Sequence, residues 1–159
     1  MADGTNGGLA SNYSISPGQT TTANITAKTL TATASASNKV YDGNNTATTT
    51  LTLSGLIGSE SLNSTNTSTF NNKNVGSNKT VTVNSITLAN GTNGGLAANY
   101  SIATGQTTTA NITPKALTVS GITATNKTYD GDNTATTTLT LSGFIGTETV
   151  TSTNSSTFN

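Results

Sequence analysis

The chain has 159 residues, of which 31% are hydrophobic, 4% aromatic and 8% charged, and its formal net charge is zero. It contains no cysteine, which excludes disulfides and thiolate chemistry, and all of its cations are lysines, so that no basic patch points to a nucleic-acid partner. No apolar run is long enough to cross a bilayer, and membrane insertion is not expected.

The chain repeats itself. The segment GTNGGLASNYSISPGQTTTANITAK from Gly4 returns as GTNGGLAANYSIATGQTTTANITPK from Gly91, at an offset of 87 residues, and the offset becomes 88 from Lys39 onward. We therefore divide the chain into the C-terminal part of a preceding repeat, one complete repeat, and the N-terminal part of a following repeat: residues 1–27, 28–114 and 115–159. The chain is expected to be a window from a longer tandem array.

The predicted elements are short strands separated by turns. LTATASA, TTTANIT and NYSI are strand candidates, and TNGG and YDGNN are turn signals. In TATTTLTLS, alternation places Ala47, Thr49, Leu51 and Leu53 on one face of a strand and threonines on the other.

Two strands are expected to contain a β-bulge. In TVTVNSITLA the apolar phase slips between Val83 and Ile86, which predicts a bulge at Asn84–Ser85. The single residue inserted in LTVSGITATNK, relative to LTATASASNK, predicts a second bulge beside Gly121.

The fold class predicted from these patterns is all-β. About six to eight short strands in a repeat of this length, with turn signals between them, favour tandem antiparallel β-sandwich modules of Ig-like outline. A β-solenoid is the alternative, but its coils repeat at about 20–30 residues and no such sub-period is present.

The stretch YDG occurs in both copies and is interpreted as a turn. Asp42 is expected to hydrogen-bond its own backbone, Gly43 to adopt a positive φ, and Tyr41 to cover the edge of the core. The alternative is a calcium site in the second copy, where Asp130 and Asp132 supply hard oxygen ligands. The first copy has asparagine in place of the second aspartate, which weakens this alternative.

Catalysis is not expected. The chain has no His, Cys, Arg or Trp, and the complete repeat offers only Asp42 and Glu60 as carboxylates. A serine nucleophile would have only scattered lysines as its base. The prediction is a protein that is not an enzyme and has no cofactor. An autocatalytic Lys–Asn isopeptide bond, for which Lys39, Glu60 and several asparagines are available, is a further alternative for stabilising a repeat.

The combination of motifs resembles a known family. NKVYDGNNTATTTL, LSG, KNVG, KTVTV and ITPK are together similar to the YDG-type repeat of large bacterial surface proteins, which include filamentous-haemagglutinin-like adhesins. The positions that carry the central motif occur in both copies: Lys39, Tyr41, Asp42 and Gly43, then Lys127, Tyr129, Asp130 and Gly131. The resemblance implies a secreted, repeated, β-rich module at the bacterial cell surface, without a catalytic site.

Three functions are expected in order of preference. The first is a structural stalk or spacer that extends a distal binding region of an adhesin, with neighbouring repeats as its partners. The second is a fibre subunit, in which residues 115–159 of one copy and residues 1–27 of another combine by head-to-tail strand complementation. Together they would make almost one module, which lacks the counterpart of the KTVTV strand. The third is a glycan-binding module that uses Tyr41 and Tyr129 against host or surface sugars.

Overall fold

The protein, described over all 159 residues by a computed structural model, contains only strands and two short 3₁₀ helices. The elements in chain order are a 3₁₀ helix Ala10–Asn12, β1 Lys28–Ala36, β2 Lys39–Val40, β3 Thr46–Ala47, β4 Thr49–Ser54, β5 Leu62–Phe70, β6 Gly76–Asn90, a 3₁₀ helix Ala97–Asn99, β7 Tyr100–Ile102, β8 Thr107–Thr113, β9 Thr118–Ala124, β10 Thr134–Ala135, β11 Thr137–Ser142 and β12 Ser156–Thr157. Neither helix has the length and apolar character that crossing a bilayer requires.

Strands β1 to β8 form two sheets, which we call the central sandwich (residues 28–113). One sheet has the order β4-β1-β7 and the other the order β2-β8-β6-β5-β3. The pairs β1–β7 and β2–β8 are parallel, and the remaining pairs are antiparallel. The predicted all-β, sandwich-like fold class is confirmed. The solenoid alternative does not describe this arrangement, because a solenoid stacks parallel coils in sequence order.

The core of the central sandwich lies between the two sheets. Phe70, Val81, Ala110 and Ile112 of the five-stranded sheet form a buried cluster. Partly buried side chains that pack against it are Ala36, Tyr41 and Ala47. Strand alternation produces this cluster, since residues two apart point to the same face. Hydrophobic burial at these few positions is the main term that stabilises the fold.

Both predicted bulges are present. In the pairing of β5 with β6, Thr67 lies opposite Ser85 while Ser68 lies opposite Val83, so that Asn84 is the extra residue. In the pairing of β9 with β11, Thr140 lies opposite Gly121 while Leu141 lies opposite Val119, which leaves Ser120 unpaired in register.

The alternation predicted for β4 is also present, but the strand is shorter than expected. Thr49, Leu51 and Leu53 are half-buried, and the threonines between them are exposed. The chain leaves the five-stranded sheet after β3 and joins the three-stranded sheet at β4, so Thr48 belongs to neither strand. A similar crossing separates β1 from β2.

The first copies of NYSI and TTTANIT do not form strands, and for these copies the strand prediction is wrong. The second copies form β7 and β8, where β7 pairs with β1 and β8 pairs with β6 and β2. Residues 1–27, the N-terminal segment, have no such neighbours. Tyr13 is accordingly 69% exposed, whereas its equivalent Tyr100 is 7% exposed. Pairing and burial, not local sequence, decide whether these residues are a strand.

Residues 115–159, the C-terminal segment, form two small antiparallel pairs, β9 with β11 and β10 with β12. These strands are the counterparts of β1, β4, β3 and the end of β5. The segment has no counterpart of β6, β7 or β8. Its apolar side chains are consequently less covered than those of the central sandwich, as Phe158 illustrates with 41% exposure against 2% for Phe70.

Candidate functional site at the junction between the two copies

The Tyr-Asp-Gly turn of the central sandwich connects β2 to β3. Gly43 has φ of 81°, in the left-handed region that glycine adopts without steric cost. The Asp42 carboxylate accepts a hydrogen bond from the backbone N–H of Asn44 at 3.1 Å. Tyr41 packs its ring against the Phe70 cluster and directs its hydroxyl away from it, towards the C-terminal segment.

A lysine ammonium group holds the turn together from inside. Lys39 Nζ lies 2.7 Å from the Asp42 carboxylate and donates to Asn44 O and Oδ1 at 3.1 and 3.0 Å and to Thr46 O at 3.1 Å. The same ammonium lies 5.8 Å from the centre of the Phe70 ring. The hydrogen bond from Lys39 lowers the pKa of Asp42 below its ordinary value.

The second copy of the turn is built in the same way. Lys127 Nζ lies 2.8 Å from a carboxylate oxygen of Asp130 and 2.6 Å from one of Asp132. Hydrogen bonds from Lys127 lower the pKa of both aspartates. The two residues of the calcium hypothesis are thus close together, and the cation between them is the lysine of the same turn.

Calcium is therefore expected to leave the protein unchanged. Addition of about 5 mM calcium should shift the unfolding temperature of the wild-type chain by less than about 1 °C, since a ligand without a site gives no linkage. Lys127→Met, which removes the internal cation, is the variant in which a calcium effect is expected first. A calcium-dependent rise in the unfolding temperature of the wild type would restore the metal hypothesis for Asp130 and Asp132.

The two residues of the isopeptide hypothesis are engaged with different partners. Lys39 is bound within its own turn, while Glu60 accepts a hydrogen bond from the hydroxyl of Tyr100 through Oε2. The backbone N–H of Ile57 donates to the same hydroxyl at 3.2 Å. The hydrogen bond to Glu60 raises the pKa of Tyr100. Glu60 thus fastens the loop between β4 and β5 to β7.

Tyr41 of the central sandwich and Glu148 of the C-terminal segment are hydrogen-bonded to each other. The Tyr41 hydroxyl donates to Glu148 Oε1 at 2.6 Å, and Lys73 Nζ lies 3.3 Å from the same oxygen. The hydrogen bond from Tyr41, followed by that from Lys73, lowers the pKa of Glu148. The hydrogen bonds to Glu148 in turn raise the pKa values of Tyr41 and Lys73. A tyrosine, a lysine and a carboxylate therefore form a polar contact between the central sandwich and the C-terminal segment. We call the interface between these two parts the junction.

The junction also has an apolar side. A Cβ atom placed on Gly43 would lie only 2.9 Å from Cγ2 of Ile145, so the Ile145 side chain rests directly on the glycine. Around this contact is a mainly apolar cleft of about 180 Å³. Its apolar lining residues come from both copies: Tyr41, Val75, Pro114, Leu117, Phe144, Ile145 and Val150. The close approach at Gly43, the hydrogen bond from Tyr41 to Glu148 and the ion pair of Lys73 with Glu148 together orient the C-terminal segment.

Sequence reasoning identified Tyr41, Asp42 and Gly43 but not their partners Lys73, Ile145 and Glu148. The predicted site residues Tyr41 and Gly43 meet the neighbouring copy, whereas Lys39 and Asp42 face inward to their own turn. The exposed Tyr129, at 90%, and Gly131 meet no neighbour. A usable signal was that the tyrosine and glutamate recur at the same offset: Tyr41 with Tyr129, and Glu60 with Glu148.

Replacing Gly43 with alanine is expected to open the junction. Both Gly43 and Gly131 have positive φ, 81° and 89°, so alanine costs about 1 kcal/mol of backbone strain at either position. Only at Gly43 does the new Cβ collide with Ile145, while at Gly131 nothing lies within 4 Å. The Ile145 methyl resonances should shift and broaden in Gly43→Ala and remain unchanged in the matched control Gly131→Ala. Equal behaviour of the two variants would contradict the close approach described here.

The contacts that hold the junction together are expected to weaken at both low and high pH. The pKa of Glu148 is lowered, so its contribution is present above the unfolded value of about 4.3 and is lost as the pH falls through the depressed folded pKa. The pKa of Tyr41 is raised, so its contribution is present below about 10 and is lost as the pH rises through the elevated folded pKa. Ile145 methyl shifts followed from pH 2.5 to 11 should show both transitions. Glu148→Gln should remove the acid transition, and an unchanged acid transition in that variant would assign it to another group.

Comparison with known proteins gives one family. A family model described as YDG domain matches residues 26–110 and again residues 113–159. No curated protein and no solved structure gives a significant match to the chain. The two matches meet within the last residues of β8, just before the connection that leads to β9.

Proposed function

Because the chain belongs to the YDG domain family, with two matches that cover most of its length, we propose that it is a structural spacer. In this proposal β-sandwich modules follow one another along one chain, and side-chain contacts at each junction fix the angle between neighbours. The role is non-catalytic and depends on the length and stiffness of the array. Neighbouring modules of the same chain are its principal partners.

The observation that carries this proposal is the contact between Tyr41, Lys73 and Glu148. A linker that only tethers two modules needs no hydrogen bond between them and leaves them free to reorient. Here the connection between β8 and β9 is four residues, and it is reinforced by a polar and an apolar contact. Short connections with specific contacts are typical of repeat proteins whose modules stack in a defined order.

The composition supports the same role and suggests a place for it. Threonine, serine and asparagine cover the exposed faces, and the net charge is zero, which suits a passive extended surface. The chain lacks cysteine, so it folds without dependence on the redox state of its compartment. We propose an extracellular location, on a bacterial surface protein of the adhesin type, in line with the resemblance described above.

The spacer proposal can be tested by a distance measurement across the junction. Since there is no native cysteine, spin labels can be placed uniquely at Ser59→Cys in the central sandwich and Asn126→Cys in the C-terminal segment, both exposed. Pulsed electron resonance should give one narrow distance distribution. Glu148→Ala should broaden it, and the neighbouring exposed change Thr147→Ala should not. A broad distribution in the otherwise unmodified chain would overturn the proposal of a stiff spacer.

A further inference from the structure

The central sandwich has an open face at the end opposite to the junction. Ile57 is 54% exposed there, and Glu60 uses only Oε2, for Tyr100. A cavity of about 480 Å³ lies beside them, and Ile25 and Lys28 also line it. We call the surface formed by Ile57 and Glu60 the open face.

The open face has an exact counterpart in the sequence that is not open. Ile145 and Glu148 are the residues equivalent to Ile57 and Glu60, each 88 positions later. Ile145 rests on Gly43, and Glu148 accepts hydrogen bonds from Tyr41 and Lys73. The junction therefore demonstrates which chemical group fits such a face: a tyrosine hydroxyl on the carboxylate and a glycine under the isoleucine.

A matching group is present and unengaged at the other end of the chain. Tyr129 is 90% exposed, and nothing lies within 4 Å of a Cβ placed on Gly131. The turn that carries them has the same shape as its counterpart, since φ is 89° at Gly131 and 81° at Gly43. The internal ion pair is also the same, with 2.8 Å from Lys127 to Asp130.

We infer that the Tyr129–Gly131 turn of one copy of this protein docks on the open face of a second copy. The Tyr129 hydroxyl donates to the free Oε1 of Glu60, and Gly131 receives the Ile57 side chain. Because the two surfaces differ and lie at opposite ends, the contact is heterologous and joins copies head to tail. The partner is thus a second copy of the chain, and the mode of contact is a turn on a face, without strand exchange.

The contact is weaker than the junction from which it is inferred. The C-terminal segment has no counterpart of Lys73 or Val75, which take part in the junction. Two separate copies also lack the tether, which supplies an effective concentration in the millimolar range. Association is therefore expected only at millimolar protein concentrations, which an NMR sample reaches.

The inference is tested with two variants that each damage one surface. Tyr129→Ala removes the docking turn, and Ile57→Asp places a charge on the open face; both residues are exposed, so both variants should fold. Sedimentation velocity from about 0.05 to 2 mM should show growth beyond the dimer for the wild type, and at least a tenfold weaker association for each variant alone. An equimolar mixture of the two variants retains one intact pair of surfaces and should form dimers that do not grow.

Tyr13→Ala is the matched control, because Tyr13 is 69% exposed but belongs to neither surface, and it should associate as the wild type does. Variants that associate like the wild type would overturn the inference and assign association to another surface. A wild type that is monomeric at 2 mM by the same measurement would also overturn it. Neither result would affect the spacer proposal, which concerns the junction within one chain and is judged by the distance across it.

Discussion

Replacing Phe70 with alanine is expected to lower the free energy of unfolding of the central sandwich by about 3–5 kcal/mol. Phe70 is 2% exposed and lies in the cluster with Val81, Ala110 and Ile112, so truncation leaves a cavity bordered by both sheets. Domains of this size are stable by only about 5–15 kcal/mol, and the variant should be partly unfolded in mild urea. The midpoint of urea denaturation is expected to fall by about 2 M.

The chain provides its own control for this substitution. Phe158 is the equivalent residue of the C-terminal segment, and its N–H donates to Asn133 O at 2.8 Å, as the Phe70 N–H donates to Asn45 O at 2.8 Å. The local environment along the strand is therefore the same, but Phe158 is 41% exposed because β6 and β8 have no counterpart there. Phe158→Ala should cost less than about 1 kcal/mol. Similar losses in the two variants would mean that local structure, not packing between sheets, stabilises this position.

The second large effect is expected for Gly95→Ala. A Cβ atom on Gly95 would collide with the backbone oxygen of Ser61, and a clash between two backbone segments cannot be relieved by rotating a side chain. The loop that contains Gly95 is hydrogen-bonded to the start of β5, where the Ser61 N–H donates to Thr92 O at 3.2 Å. Alanine must push the loop off Ser61, at a cost of about 3 kcal/mol, the upper end for overpacking. The unfolding temperature should fall by more than about 10 °C.

Gly8→Ala is the matched control, since Gly8 is the equivalent glycine of the N-terminal segment. Its Cβ would lie 3.4 Å from Thr5 O, near ordinary contact distance, and no second segment packs on it. The unfolding temperature of this variant should remain within about 2 °C of the wild type. Amide exchange at Ser61 localises the effect: it should accelerate in Gly95→Ala and not in Gly8→Ala. Protection of Ser61 retained in Gly95→Ala would contradict the close contact.

The sequence predicted the features that depend on alternation along one strand. The slip of apolar phase at Asn84 and the inserted residue beside Gly121 both correspond to register shifts in the sheets. These could be predicted because a strand has a period of two residues, and any extra residue inverts the faces that follow. The half-buried leucines of β4 follow the same rule.

Features that depend on neighbouring strands were not predicted. Residues 12–15 read NYSI like residues 99–102, yet only the second copy is a strand, because it alone lies beside β1. The change of sheet at Thr48 also left no local signal, because threonine is a good strand former and nothing in its neighbours marks a break.

Only one side of the candidate site was predicted, because the other side comes from residues distant in the sequence. Tyr41 and Gly43 belong to a recognisable turn, but Glu148 is 107 residues away from Tyr41 and belongs to a plain loop. Its equivalent Glu60 contacts Tyr100 instead, so the two copies of one residue have different partners. Equivalent positions of the two copies therefore differ in their contacts within this chain, and the sequence of one repeat does not predict which contact forms.

The parallel pairing of β2 with β8 has a mechanical consequence. These strands lie near the entry and the exit of the central sandwich, and the Tyr41 N–H extends the pairing with a 2.9 Å hydrogen bond to Thr113 O. A pull on the two ends of the sandwich draws β2 and β8 in opposite directions along their common axis. The bonds between them are then loaded in shear and must break together, whereas bonds in a peeled hairpin break one at a time. Tension applied to the two ends of the sandwich is in this way shared among the backbone hydrogen bonds between β2 and β8.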